Sequence, residues 1–127
     1  MTAEIIVSAG YRLLVAKAAG PPLGSYKDVL ELIENALAHR ATAIVVPVQR
    51  LEPEFFHLRS GLAGEFIQKI VNYGLKLAVI GDISEPTAES SAFRDFVSES
   101  NRSGSVFFLP DFDALVARLS ARPSGSN

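Results

Sequence analysis

Hydrophobic residues along this chain fall into short continuous runs that alternate with longer segments of helical spacing. The apolar runs 5–7 and 13–15 flank the turn-compatible pair Ala9 and Gly10, which predicts a β-hairpin. Three more continuous runs predict strands buried on both faces. They span residues 43–46, 77–80 and 105–109.

Apolar residues at helical spacing predict four helices. They span residues 25–39, residues 60–73, a segment that starts between residues 86 and 91 and ends near 101, and a last segment with Leu115, Val116 and Leu119. Ser25 and Asp28 have the spacing of a capping box. Ser60 is the predicted N-cap of the second helix, and Gly74 fits the left-handed residue after its end.

The resulting order of elements predicts an α/β fold in a single domain over residues 1–121. An N-terminal β-hairpin is followed by alternating helices and strands, which favours a mostly parallel central sheet layered with helices. A length of 127 residues and a mass of 13.6 kDa suit one domain with its own core. Residues 122–127 are polar and follow the last apolar stripe, so we predict a disordered tail there.

Composition excludes several classes of function. The net charge of −2 and the scattered basic residues argue against nucleic-acid binding. The absence of Cys excludes disulfides and thiolate catalysis, and with only two His we expect neither a metal site nor a cofactor. No apolar run approaches the ~20 residues needed to span a membrane, and the N-terminus does not resemble a leader, so we expect a cytoplasmic protein.

Polar residues near the carboxyl ends of the predicted strands are the candidate ligand or regulatory site, because open parallel sheets bind ligands there. The candidates are Ser60, Gly61, Arg59, His57, Asp82 and Ser84. A small anion is the alternative ligand for this site, since backbone amides at a helix start attract negative charge. The plainer alternatives are helix capping by Ser60, a turn made by Asp82 and a solvent-facing loop histidine.

The long loop over residues 48–60 and the polar face of the third predicted helix provide candidate interface residues. These are Phe55, Phe56, Glu65, Arg94, Glu99 and Asn101. Exposure of the two phenylalanines would mark a docking surface, whereas burial would make them anchors of the loop in the core. The charged residues of the helix would otherwise form a solvated face.

The central stretch resembles STAS domains, known from anti-sigma-factor antagonists and sulfate-transporter tails. Ser60, Gly61 and Leu62 match the end of the family's Asp-Ser-Ser-Gly-Leu motif, Gly74 matches its turn, and residues 77–81 match the following strand. Leu58 and Arg59 replace the acid and the first serine. The resemblance implies a STAS-like architecture that acts in protein regulation or binds a small ligand, with Ser60 in the position of a phosphorylated serine.

The chain is also similar, over nearly its whole length, to a bacterial domain-of-unknown-function family, number 4180. The segments that carry this resemblance are residues 46–84, residues 93–111 and the terminal helix. This family implies no activity.

We therefore expect a regulatory or protein-interaction module that is not an enzyme, with a protein partner or a second copy of the chain as its ligand. Its contact surface would be the loop over residues 48–60 and the helix that follows. The alternative is a small enzyme or anion binder with its site at the strand carboxyl ends. The chain contains no GxGxxG, Walker A or GxSxG motif, which are the usual fingerprints of nucleotide-binding proteins and hydrolases.

Overall fold

The N-terminal segment forms the predicted hairpin. The computed structural model describes residues 3–120, in which β1 (Ala3–Ser8) pairs antiparallel with β2 (Tyr11–Ala16). Ala9 and Gly10 have φ values of 54° and 81°, the left-handed conformations that two-residue hairpin turns require. The disordered tail predicted for residues 122–127 lies outside the described residues.

Strands and helices alternate after the hairpin. The strands are β3 (Ala43–Pro47), β4 (Lys76–Ile80) and β5 (Val106–Leu109). The helices are α1 (Tyr26–Ala38), α2 (Leu62–Asn72), α3 (Ser84–Glu89), α4 (Ser91–Ser103) and α5 (Phe112–Ser120). The third predicted helix corresponds to α4, and α3 is a separate short helix before it, because Ser90 has extended backbone and its Oγ accepts a hydrogen bond from the N–H of Phe93 at 3.1 Å.

The five strands form one sheet in the order of the chain, β1-β2-β3-β4-β5. β1 is antiparallel to β2, and every other neighbouring pair is parallel. The predicted α/β fold, with its mostly parallel sheet, N-terminal hairpin and single domain, is confirmed. The carboxyl ends of β3, β4 and β5 consequently lie along the same end of the sheet.

Two hydrophobic cores cover the two faces of this sheet. On one face α1, α2 and α4 pack together around a group of buried aromatic rings. On the other face α5 packs Leu115 and Leu119 onto small and aromatic strand residues such as Ala43, Ala78 and Phe107. Within residues 3–120, no helix combines the length and the apolar character needed to cross a membrane.

Candidate functional site

Two neighbouring crevices open at the carboxyl ends of the parallel strands. The first crevice, of about 650 Å³, lies between the loop after β3 and helix α3. The second crevice, of about 510 Å³, lies between the start of α3, helix α4 and the end of β5. Asp82, in the turn after β4, borders both. This is the end of the sheet at which the topology predicts a ligand.

The loop over residues 48–60, which forms one wall of the first crevice, is built from three short 3-10 turns. Phe55 is completely buried and anchors it, with its ring centroid 5.7 Å from that of Phe66 in an edge-to-face arrangement. Phe56 packs in the same manner on Phe93, at 5.8 Å, while its ring also lines the crevice. The loop is therefore held by aromatic packing, although it has no regular secondary structure beyond single turns.

Ser60 closes this loop. Its Oγ lies 2.8 Å from the carbonyl oxygens of both Glu54 and His57, and it accepts a hydrogen bond from the N–H of Leu62 at 3.2 Å. Gly61, at a φ of 78°, occupies the N-cap position that the sequence assigned to Ser60. The hydroxyl of Ser60 is thus used to join the last 3-10 turn to the start of α2.

Arg50 holds the base of the same loop and is the one buried polar residue among those described, at 3% exposure. Its Nε donates to the carbonyl of Pro21 at 2.8 Å, and its Nη1 donates to those of Lys17 at 2.7 Å and Ala19 at 3.3 Å. A Cβ on Gly20 would lie 2.8 Å from the guanidinium carbon, so the connection from β2 to α1 wraps closely around this side chain.

The turn after β4 forms the border between the two crevices. The carboxylate of Asp82 accepts a hydrogen bond from the N–H of Ser84 at 2.8 Å, which is an Asx turn. The hydroxyl and N–H of Ser84 lower the pKa of Asp82, so this exposed carboxylate is ionised at neutral pH. Gly81 lies directly against Val48. A Cβ at position 81 would come within 2.9 Å of the valine side chain, so a larger residue would not fit without a shift.

The lining of the first crevice combines negative charge with apolar surface. Its carboxylates are Asp82, Glu85 and Glu89, and its apolar side chains are Val48, Pro53, Phe56 and Pro86. The polar residues His57 and Ser90 complete the lining. Neither glutamate forms an ion pair with any basic group among residues 3–120. The three carboxylates therefore face the crevice without internal neutralisation.

Comparison with known proteins identifies a family for the chain. A family model described as Domain of unknown function (DUF4180) matches residues 8–119. The chain belongs to this family. Among curated proteins and among solved structures, no protein matches it significantly. The matched region of this DUF4180 domain runs from the end of β1 into α5 and so includes both crevices.

The structure brings together only some of the residues predicted from the sequence. His57, Asp82 and Phe56 meet at the first crevice. Asp82, Ser84, Arg94 and Asn101 meet at the second crevice. The remaining candidates, Arg59, Ser60, Gly61, Phe55, Glu65 and Glu99, line neither crevice.

The separated candidates have other environments. Phe55 is a core residue, in agreement with its alternative interpretation as an anchor of the loop. Glu65 borders a cavity of only about 40 Å³ between α1 and α2. Glu99 lies exposed on α4. Ser60 and Gly61 lie at the exposed start of α2.

Arg50, Glu85 and Glu89 were not among the predicted functional residues. The sequence contains a signal for the two glutamates but none for Arg50, whose partners lie about 30 positions earlier in the chain. Glu85 and Glu89 stand at i,i+4 soon after Asp82, so three carboxylates fall within the short segment of residues 82–89.

Two further polar side chains line the crevices, the imidazole of His57 in the first and the hydroxyl of Thr87 in the second. The imidazole of His57 has no side-chain or backbone hydrogen-bond partner within residues 3–120. The hydroxyl of Thr87 lies 2.8 Å from the carbonyl of Ile83 and 3.1 Å from that of Ser84, so it serves the helix. Among the described residues, no group of three His, Asp or Glu side chains has the arrangement of a metal site.

Proposed function

We propose that this protein is a STAS-like interaction module without catalytic activity, and that its first crevice binds a basic and partly apolar segment of a partner protein. The observation that carries the proposal is the lining of that crevice, in which three carboxylates without basic partners stand beside an apolar wall. The strictly sequential sheet with helices between parallel strands supports the STAS-like part of the proposal.

Charge complementarity favours a cationic partner. Glu85 and Glu89 lie one turn apart on α3, where like charges destabilise a helix by a few tenths of a kcal/mol. A lysine or arginine side chain in the crevice relieves this repulsion and meets the ionised Asp82. The rings of Phe56, Pro53 and Pro86 offer a surface for the aliphatic part of the same side chain.

The experiment uses a peptide probe, because it tests the chemistry of the surface before any partner is known. A twelve-residue peptide of alternating Lys and Leu would be titrated into ¹⁵N-labelled protein, with an alternating Glu and Leu peptide as the control. We expect amide shifts confined to residues 53–57 and 82–90 for the basic peptide only, with binding that weakens as salt is added.

Two matched variants identify the charges responsible. Glu85→Gln together with Glu89→Gln should weaken binding by about tenfold, because two favourable charge contacts are lost. Glu31→Gln removes an exposed carboxylate from α1, away from the crevice, and should leave the affinity unchanged. Equal weakening by both changes, or shifts spread over the whole surface, would rule out the first crevice as the binding surface.

A second candidate function is the binding of a small anion in the second crevice. The observation that favours it is Arg94, which borders this crevice and uses its Nε to donate to the carbonyl of Thr87 at 3.2 Å. Its terminal nitrogens suit a phosphate or carboxylate. Titration of the same labelled protein with inorganic phosphate separates the candidates, because shifts near Arg94 and Ser84 that Arg94→Met abolishes would favour the anion.

A further inference from the structure

The two edges of the sheet differ in how their backbone groups are satisfied. At the β5 edge, the side-chain amide of Asn101 pairs with Phe108 as a neighbouring strand would. Its Oδ1 accepts from the N–H of Phe108 at 2.7 Å, and its Nδ2 donates to the carbonyl of Phe108 at 3.3 Å. A side chain from α4 therefore closes this edge against another strand.

The β1 edge has no such cover among the described residues. In a hairpin with a two-residue turn, the two residues that flank the turn exchange backbone hydrogen bonds; here they are Ser8 and Tyr11. From that pair onward, hydrogen-bonded pairs alternate with pairs that are not hydrogen-bonded. Glu4 and Ile6 therefore point their backbone groups toward β2, while Ile5 and Val7 point theirs outward. No hydrogen bond from residues 3–120 reaches these outward groups.

The side chains of β1 give this edge little protection. The strand reads Ala-Glu-Ile-Ile-Val-Ser, in which Glu4 is the one charged residue, and it has no lysine, proline or bulge of the kind that usually blocks an edge strand. Val7 is 62% exposed, the highest value among the large hydrophobic side chains of the described residues. Ile6 borders an apolar groove of about 390 Å³ that runs along the sheet to Phe112 on α5.

We propose that β1 pairs with β1 of a second copy of this chain, in antiparallel orientation across a twofold axis, so that two sheets join into one of ten strands. The axis passes beside Ile6, which places Ile5 opposite the partner's Val7 and Ile6 opposite the partner's Ile6. The backbone groups that point outward from Ile5 and Val7 then bond each other. This inference is independent of the function proposed for the first crevice.

The sequence of β1 favours this register and this occupant. Centring the pair on Ile6 sets apolar side chains opposite one another on both faces, and it sets Glu4 opposite the partner's Ser8. Centring it on Glu4 would oppose two carboxylates, which is destabilising. In this register the strand pairs with itself without setting Glu4 opposite a second Glu4 or opposite an apolar side chain, and the groove beside Ile6 adds apolar surface on the same face of the sheet.

The test compares the mass in solution with the protection of single amides. Sedimentation equilibrium should give twice the 13.6 kDa chain mass at micromolar concentration. In hydrogen exchange, the outward N–H groups of Ile5 and Val7 should be protected, and the protection should decrease on dilution. Unprotected Ile5 and Val7 amides in a dimer would place the contact elsewhere and overturn the proposal.

A pair of substitutions at Val7 isolates the backbone contribution. Val7→Pro removes an N–H that makes no bond within the hairpin, so the fold should persist while the dimer dissociation constant rises at least about tenfold. Val7→Thr keeps the N–H and should remain dimeric. A monomeric wild type, open-ended aggregates instead of a dimer, or a folded Val7→Pro variant that still dimerises would each overturn the proposal.

Discussion

Arg50 determines the position of two loops with one side chain. Its guanidinium donates to three carbonyls of the connection between β2 and α1, while its own backbone carbonyl accepts from the N–H of Leu23. The neighbouring residues Leu51 and Leu23 form an isolated parallel bridge. The loop after β3, which forms a wall of the first crevice, is therefore held at its base by this residue.

Replacing Arg50 should lower the stability of the whole domain. Arg50→Met keeps the apolar stem but leaves the partly buried carbonyls of Lys17 and Pro21 without this donor, so we expect the free energy of unfolding to fall by about 1–3 kcal/mol. Urea denaturation followed by circular dichroism measures the change. Arg59→Met alters an exposed arginine of the same loop and should change stability by less than about 0.5 kcal/mol.

Arg50 also shows which kind of residue role could not be predicted from the sequence. Asp82 follows a strand and was interpretable as a turn residue, because that role depends on a neighbour two positions away. The role of Arg50 depends on carbonyls about 30 positions earlier in the chain. Only the folded arrangement of the two loops brings these groups together.

At the scale of elements, α1 begins as its sequence predicts. The Oγ of Ser25 accepts from the N–H of Asp28 at 3.1 Å, and the carboxylate of Asp28 accepts from the N–H groups of Ser25 and Gly24, each at 3.1 Å. Desolvation raises the pKa of Asp28, but these hydrogen bonds and the charge of Arg50 outweigh it and lower the pKa below its ordinary value.

This capping box should make stability depend on pH. Because the folded-state pKa of Asp28 is lower than the unfolded one, its contribution is present above the unfolded value of about 3.9 and is lost as pH falls through the folded value. Asp28→Asn should cost about 1 kcal/mol at pH 7, and the difference from the wild type should shrink below pH 4.

Urea denaturation of both proteins at several pH values checks this expectation. Glu34→Gln makes the same change of charge on an exposed position of α1 and serves as the control. A stability difference for Asp28→Asn that stays constant from pH 7 to pH 3 would contradict the proposed role of the ionised carboxylate.

The other elements show where local patterns determine a boundary and where they do not. Gly74 follows α2 at a φ of 77°, as predicted, because a left-handed residue after a helix end is a local requirement. The start of α2 lies two residues after Ser60, since Gly61 takes the left-handed conformation and the serine bonds back to the loop. That difference depends on the loop's packing through Phe55, which the sequence pattern alone does not specify.

At the scale of the whole molecule, the two faces of the sheet are unequally covered. Alternating strands and helices predicted a mostly parallel sheet, and right-handed connections along a sequential sheet place α1, α2 and α4 on one face. The apolar stripe of α5 has the same pattern as the others, so its location on the opposite face was not predictable from its sequence.

The first crevice was not predictable either, because α3 is a separate short helix whose carboxylates line the same crevice as His57 only in the folded chain.

This asymmetry predicts that α5 opens before the rest of the domain unfolds. Among the described helices, α5 alone packs on its face of the sheet, and its buried residues are Leu115 and Leu119 only. Few buried apolar contacts imply a low free energy of local opening. In native-state hydrogen exchange, the amides of α5 should therefore exchange at a lower free energy than those of β3 and β4, which lie in the middle of the sheet.

A substitution on each face of α5 tests whether packing sets that opening. Leu115→Ala removes the most buried side chain of the helix and should lower its opening free energy by about 2–4 kcal/mol, whereas the exposed Ala117→Ser should have little effect. If Leu115→Ala destabilises β3 and β4 by the same amount as α5, then the helix unfolds with the sheet. The two cores would in that case form one cooperative unit, joined through the strands that they share.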